Sequence, residues 1–149
     1  MRRSGIMEDS LSHDVYRTLK YTHRQLKKDL RKKLTDYGVT WPQFHALYHL
    51  EEEGIPVNEL AQDLHCNASN ITGLIDRMRE NGWVCREHSE EDRRVWLVKL
   101  TDEGINFKNK IYPEHLKNIK ERMQTLSDNE LITLKKLLRK LINGVEEGE

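Results

Sequence analysis

Asn67-Ala-Ser-Asn-Ile-Thr-Gly-Leu-Ile-Asp-Arg-Met-Arg-Glu-Asn-Gly82 is the stretch on which the fold of this chain turns. The spacing predicts a helix from Ala68 to Asn81. Asn67 stands just before it, where a side-chain oxygen accepts from the free N–H groups of the first turn. Gly82 takes the left-handed conformation that ends a helix. Ile71, Leu74, Ile75 and Met78 recur at helical spacing and share the inward face. Ser69, Asn70, Thr72 and Gly73 lead the other face, with no carboxylate before Asp76. Small hydrogen-bonding residues in the first turns suit a helix whose N-terminal end enters a major groove and touches base edges.

Working outward, Val57 to Leu64 is a shorter helix with Leu60, Ala61 and Leu64 inward, so the two helices and their turn form a helix-turn-helix. Beyond Gly82, Trp83–His88 and Val95–Leu100 are rich in strand formers. Ser89-Glu-Glu-Asp-Arg-Arg94 lies between them, polar and charged, as a hairpin tip. Thr101 then caps a new helix.

Leu60-Ala61, the Ile71–Met78 helix, Gly82-Trp-Val84, Asp92-Arg93-Arg94 and Leu100-Thr101-x-x-Gly104, in this order and spacing, resemble the MarR family of bacterial winged helix-turn-helix transcription regulators. The likeness extends over nearly the whole chain, because the flanking helices also fit. It implies a mainly α fold with a small β-hairpin wing (α+β): a winged helix-turn-helix with long N- and C-terminal dimerisation helices. One domain over 1–149 is expected, with 10–36 and 101–146 as the helical dimerisation region and 38–100 as the DNA-binding module. The resemblance further implies a homodimer that represses transcription from an inverted-repeat operator in double-stranded DNA, with affinity modulated by a small-molecule effector.

In the family, the acid and the arginine at the positions of Asp92 and Arg94 act together, the acid orienting the guanidinium, and Arg77 matches a helix arginine that lies at the DNA backbone. With Arg79 and Arg93, and with Ser69, Asn70, Thr72 and Gly73 of the helix, these are the expected DNA contacts. Arginine on a hairpin tip also suits a narrow minor groove, where the potential deepens. Plainer roles stay open. Asp92 and Arg94 can simply pin the tip, a surface pair worth little to stability. Arg77 can pair with Asp76 or a neighbouring acid, since phosphate contacts and ion pairs use the same side chain.

Charge is compatible with this reading without demanding it. Lys and Arg number 25 and so do Asp and Glu, a net charge of zero, whereas nucleic-acid binders usually carry a basic excess. The distribution is polarised, however. Arg17, Lys20, Arg24, Lys27, Lys28, Arg31, Lys32 and Lys33 face only Asp29 in their segment, and acid collects at Glu51-Glu52-Glu53, Glu146, Glu147 and Glu149. No stretch approaches the roughly 20 apolar residues of a membrane span, and Met1–Glu8 lacks the apolar run of a signal peptide, so a cytoplasmic protein with no membrane partner is expected. Cys66 and Cys85 have neither disulfide-framework nor metal-finger spacing and read as small core sites. One branch of the family senses peroxides through a cysteine near the start of the first helix; none precedes Cys66 here, so that mechanism is not carried over. Arg86 beside Cys85 keeps a thiol-based redox response open as an alternative.

Residues 1–9 read as unstructured. Ser10 or Ser12 caps a first helix to about Leu34, striped by Val15, Leu19, Leu26, Leu30 and Leu34. Its cations form a second stripe, either a solvated face or, near Arg31–Lys33, a neighbour of DNA phosphates. Thr40-Trp-Pro-Gln43 is a capping box with proline in the first turn, and Phe44, Leu47, Tyr48 and Leu50 carry that helix's inner face. Gly54-Ile-Pro56 is a short extended piece. Pro113 falls inside the long helix that follows Thr101 and predicts a kink. Ser127-Asp-Asn-Glu130 is a second capping box, opening a helix striped by Leu131, Leu134, Leu138, Leu141 and Val145. Long helices need their stripes covered, and pairing of two chains would do it.

Family effector sites lie between the winged module and the helical dimer region. Here that crevice would draw on Tyr16, His23, Tyr37, Trp41, Phe44, His45 and Tyr48, residues that can equally be core. His45 and His49 are four apart, a possible metal pair, but the glutamate of a His-Glu-x-x-His hydrolase is missing; His13 and His23 could join them only in space. No Gly-rich phosphate loop, paired catalytic carboxylates or nucleophile elbow is present, so neither a cofactor nor an enzyme is expected. The remaining rival is a winged helix that binds protein instead of DNA.

Overall fold

Helix caps set most of the boundaries in this chain. The computed structural model describes residues 10–148. In order they form α1 (Ser10–Asp36), α2 (Trp41–His49), β1 (Ile55–Pro56), α3 (Val57–Asp63), α4 (Ala68–Glu80), β2 (Val84–His88), β3 (Trp96–Leu100), α5 (Asp102–Met123) and α6 (Asp128–Glu147). The architecture is the mainly helical, winged one expected; the reading of residues 1–9 lies outside the described residues. Among the described residues no helix is long and apolar enough to cross a membrane.

Both capping boxes form. Thr40 Oγ1 accepts from the Gln43 N–H at 3.3 Å while Gln43 Oε1 accepts from the Thr40 N–H at 2.9 Å, and Ser127 and Glu130 do the same for α6. Each box satisfies donors that a helix start leaves without partners. Asn67 Oδ1 accepts from the Asn70 N–H at 2.9 Å at the head of α4, and Gly82 follows its end with φ +80°. Thr101 joins two elements: its hydroxyl donates to the Gly82 carbonyl and accepts from the Gly104 N–H at 3.0 Å. Pro113 sits inside α5, which carries on through it to Met123.

The chain divides into two compact units, one up to His115 and one from Leu116 on. In the first, the sheet is antiparallel with order β1-β3-β2. Val84 opposes Leu100, Arg86 opposes Val98 and His88 opposes Trp96. Two strands were expected; the extended piece before α3 is a third, pairing Ile55 with Val98 and Pro56 with Leu97. An edge strand tolerates Pro56, which has no N–H to give a ladder. The core draws Leu34 from α1, Phe44, Ala46 and Leu47 from α2, Leu60 from α3, all four inward residues of α4, Trp83, Val84, Val98 and Leu100 around the sheet, and Ile111 from α5. Burying a side chain such as Ile71 or Met78 is worth about 1.5–3 kcal/mol. Tyr48, expected on the inner face of α2, is instead 51% exposed. Its phenol lies against Tyr112, with ring centroids 5.5 Å apart, where a polar hydroxyl can stay wet.

The apolar stripes of the long helices are largely open. Only Leu34 is buried on α1, while Val15 and Tyr16 are more than half exposed. In the second unit α6 buries no residue, and Leu137, Leu141 and Val145 are each over 50% exposed. A 20-residue helix with such a stripe is not held by propensity alone.

Candidate nucleic-acid interface

The N-terminal half of α4 presents Ser69, Asn70 and Thr72 to solvent. The Asn67 cap takes the Asn70 backbone N–H, and the Asn70 side chain is exposed. Thr72 Oγ1 donates to the Ala68 carbonyl at 2.9 Å, so outward it offers lone pairs and a methyl group. Gly73 is half-buried beneath Arg77: a Cβ placed there would lie 3.2 Å from Arg77 Nη1. Helical side chains lean toward the N-terminus, and this one carries its charge a turn back toward the exposed end. Asp76 pairs with Arg79 at 3.7 Å. Arg77 forms no ion pair among the described residues and remains available to an anion.

The wing tip is organised by Asp92. Its Oδ1 accepts from both the backbone N–H and Nε of Arg94 at 3.1 Å, and its Oδ2 accepts from Nη2 at 3.2 Å. The Arg94 side chain, then its backbone N–H, holds the Asp92 carboxyl below the usual carboxylate range. The two-point grip fixes the plane of a guanidinium whose side chain is 90% exposed. Arg93 beside it is exposed. On the opposite face of the hairpin Lys99 Nζ donates to Glu87 at 2.6 Å, and Glu87 holds the lysine pKa above its ordinary value.

Three residues of this surface were missed from the sequence: Arg86, His88 and Trp96. Strand alternation puts them on the face of Val84, Val98 and Leu100. Arg86 Cζ lies 4.6 Å from the centre of the Trp96 ring, and the His88 ring centre lies 3.8 Å from it. Arg86 and Trp96 line a cleft of about 550 Å³ with Arg94 and Val95 of the wing, Ala68, Ile71 and Thr72 of α4, and Val57, Asn58 and Ala61 of α3. Counting alternation from buried Val84 would have found them. The same alternation corrects Cys85, expected as core filler: it is exposed, while Cys66 is half-buried with its thiol 3.6 Å from the Leu64 carbonyl.

The aromatic set divides. Trp41, Phe44, His45 and Tyr48 cluster along α2 and meet Tyr112 and His115 of α5, two residues that the sequence did not place with them. Trp41 packs edge-on to His45 at 4.8 Å, Phe44 lies 4.5 Å from His115, and Lys27 of α1 sits 5.9 Å over Trp41. Tyr37 donates to Glu114 at 3.1 Å. Tyr16 and His23 lie on the exposed stretch of α1. Burial, then His49 and Lys27, depress the His45 pKa; burial, then His45, depress that of His115. His115 Nδ1 is buried without a hydrogen-bond partner. Among the described residues no group of three or more His, Cys, Asp or Glu could hold a metal ion.

A capped helix with a bare polar N-terminal face, followed by a hairpin bearing oriented arginine, defines a winged helix-turn-helix DNA-binding protein. The model of the MarR family matches residues 39–96. The HTH-type transcriptional regulator YsmB of Bacillus subtilis (strain 168) is 30% identical over 129 residues, covering 86% of this chain and 88% of that protein. The transcriptional repressor MprA of Escherichia coli (strain K12) is 28% identical over 152 residues, covering 99% and 86%. The crystal structure of AbsC, a MarR family transcriptional regulator from Streptomyces coelicolor, superposes with a TM-score of 0.75 at 27% identity, covering 91% of this chain and 94% of that one. This chain belongs to the MarR family. It is a DNA-binding transcription regulator, and the family's members are regulators, not enzymes.

Proposed function

We propose that two copies of this chain pair through their long helices and repress transcription from an inverted-repeat operator. The observation that carries the reading is the unburied apolar stripe of α6, a row of leucines with no cover of its own. A two-fold dimer would present two copies of α4 to one face of a duplex, about one helical turn apart. Ser69, Asn70 and Thr72 would read bases, Arg77 and Arg79 would take phosphates, and Asp92, Arg93 and Arg94 would enter the flanking minor groove. Repression is favoured because MprA, alignable over almost the full length of this chain, is described as a repressor. Control by a small molecule is the finer part of the reading. Its support is the nest of Trp41, Phe44, His45 and Tyr48 against Tyr112 and His115, where a buried nitrogen lacks a partner and a ligand's polar group would find one.

Selection of bound fragments from random-sequence DNA, followed by sedimentation of the complex, tests the proposal. The expected result is an inverted repeat with half-site centres about 10 base pairs apart, bound by a dimer. Selection of no sequence, with the protein a monomer, would favour the protein-binding alternative.

A further inference from the structure

We infer that Gly73 determines which sequence this protein reads: the gap it leaves on the exposed face of α4 lets the helix sit close enough to the major-groove floor for Asn70 and Thr72 to read adenine and thymine. This deepens the operator-bound arrangement proposed above and rests on it.

A glycine inside a helix needs a reason, because against alanine it lowers the folding equilibrium about two- to fivefold. Gly73 lies in the interior of α4, which runs from Ala68 to Glu80, so it caps neither end. Backbone conformation does not require it, since φ is positive at Gly38, Gly54 and Gly82 but not at Gly73. Packing within the chain does not require it either. A Cβ there would first meet the Arg77 guanidinium, at 3.2 Å for Nη1 and 3.9 Å for Cζ and Nη2. That group ends a long, exposed side chain and can move aside. Gly104 is the contrast, because there the Trp83 backbone fills the space.

The space at Gly73 opens outward. Ser69, Asn70, Asp76 and Arg77 lie three or four residues from it, the spacings that make neighbours on a helix surface, and all four are exposed. Bare backbone amid such a face is what a close approach to another molecule uses.

The side chains beside the gap need that approach and fix what is read. Those of Asn70 and Thr72 end only a few bonds from Cα, so a long neighbour would hold them off the base edges. A carboxamide sets an acceptor beside a donor, the match for N6 and N7 of adenine. Thr72 gives its hydroxyl hydrogen to the Ala68 carbonyl at 2.9 Å. Its methyl group is then the part suited to the methyl of thymine. Guanine is read by arginine or lysine and cytosine by a carboxylate. Residues 68–75 contain neither type, Asp76 is paired with Arg79, and the arrangement above sends Arg77 to a phosphate.

The test uses the full chain, the operator recovered by selection and a random-sequence duplex of the same length. Gly73→Ala should raise the melting temperature by about 2–4 °C yet lower the ratio of operator to random-sequence affinity about tenfold, through base contacts in two half-sites. The same penalty should appear in an Arg77→Ala background. Base analogues read the wild type directly. Uracil in place of one thymine per half-site should cost about fourfold in affinity, the worth of a buried methyl group, and Thr72→Ser should be indifferent to it. A 7-deazaadenine at one position should cost about fivefold, one hydrogen bond, and Asn70→Ala should be indifferent to that. A Gly73→Ala protein that is less stable, or that keeps the wild-type affinity ratio, overturns the inference. So does a penalty that vanishes with Arg77→Ala, which would make the gap a berth for that side chain. Operators indifferent to every uracil and 7-deazaadenine overturn the base assignment. In each of these cases the DNA reading stands; failure of the wild type to select any sequence overturns both.

Discussion

Gly104→Ala should destabilise this protein although it places alanine in a helix. The helix-propensity gain is about 1 kcal/mol. Against it stands geometry: a Cβ at Gly104 would lie 2.0 Å from the Trp83 carbonyl oxygen and 2.9 Å from its carbon. The obstacle is backbone, so no rotamer relieves it, and the helix start and strand entry must part by more than an ångström. Forced overpacking costs about 1–3 kcal/mol. The same Trp83 oxygen accepts from the Thr101 N–H at 3.0 Å, and disturbing that bond adds about 0.5–1.5 kcal/mol. Trp83 also stacks on Phe107 at 4.4 Å, so the shift reaches the core. The net loss should be about 2 kcal/mol, lowering the melting temperature by roughly 4–8 °C for a chain of this size. Thermal melts with urea titrations measure it. A variant as stable as the wild type, with an unchanged denaturant slope, would refute the close-approach argument.

Leu138→Asp should give a monomer or aggregate that does not bind operator, checked by sedimentation; a stable, DNA-competent dimer would remove α6 from the interface. Asn70→Ala should relax preference by about 1–3 kcal/mol at one position in each half-site, whereas Arg94→Ala should weaken binding to many sequences and flatten the salt dependence; isotherms on operator and random DNA, with circular dichroism to confirm folding, separate them. Changing both Cys66 and Cys85 to Ser should leave release from DNA by the natural inducer intact, and peroxide-triggered release that vanishes in the double variant would contradict this. For pH, His45 and His115 have folded pKa values below the ordinary 6.5. The unfolded chain therefore takes up protons first as pH falls, and stability should decline from about pH 6.5 downward until the folded values are passed. Melts between pH 5 and 8 should find this acid slope shallower in His45→Gln/His115→Phe.

What was legible in the sequence was local. Asn67, Thr40, Ser127 and Gly82 act on backbone a few residues away, so their identities placed helix ends to within a residue or so. Ile71, Leu74, Ile75 and Met78 are all buried as their spacing required. Non-local pairing was harder. Nothing in Ile55-Pro56 announces that it borders β3, forty residues on. Tyr112 and His115 belong to the aromatic nest only because α5 returns against α2. Asp92 and Arg94 were found because they are two residues apart. Arg86 and Trp96, ten apart across a hairpin, needed the register as well.

The neutral total charge has a kinetic consequence once its arrangement is known. A chain with 25 charges of each sign exerts little long-range pull on a polyanion. Its unpaired cations act within a Debye length, about 8 Å in physiological salt. Wandering along arbitrary DNA should therefore be brief, with frequent departures into solution. Search by repeated short visits leaves few copies stranded on the rest of the chromosome. Under the proposed control by an effector, a dimer released from its operator would have nowhere nearby to linger, so the regulated promoter would clear promptly.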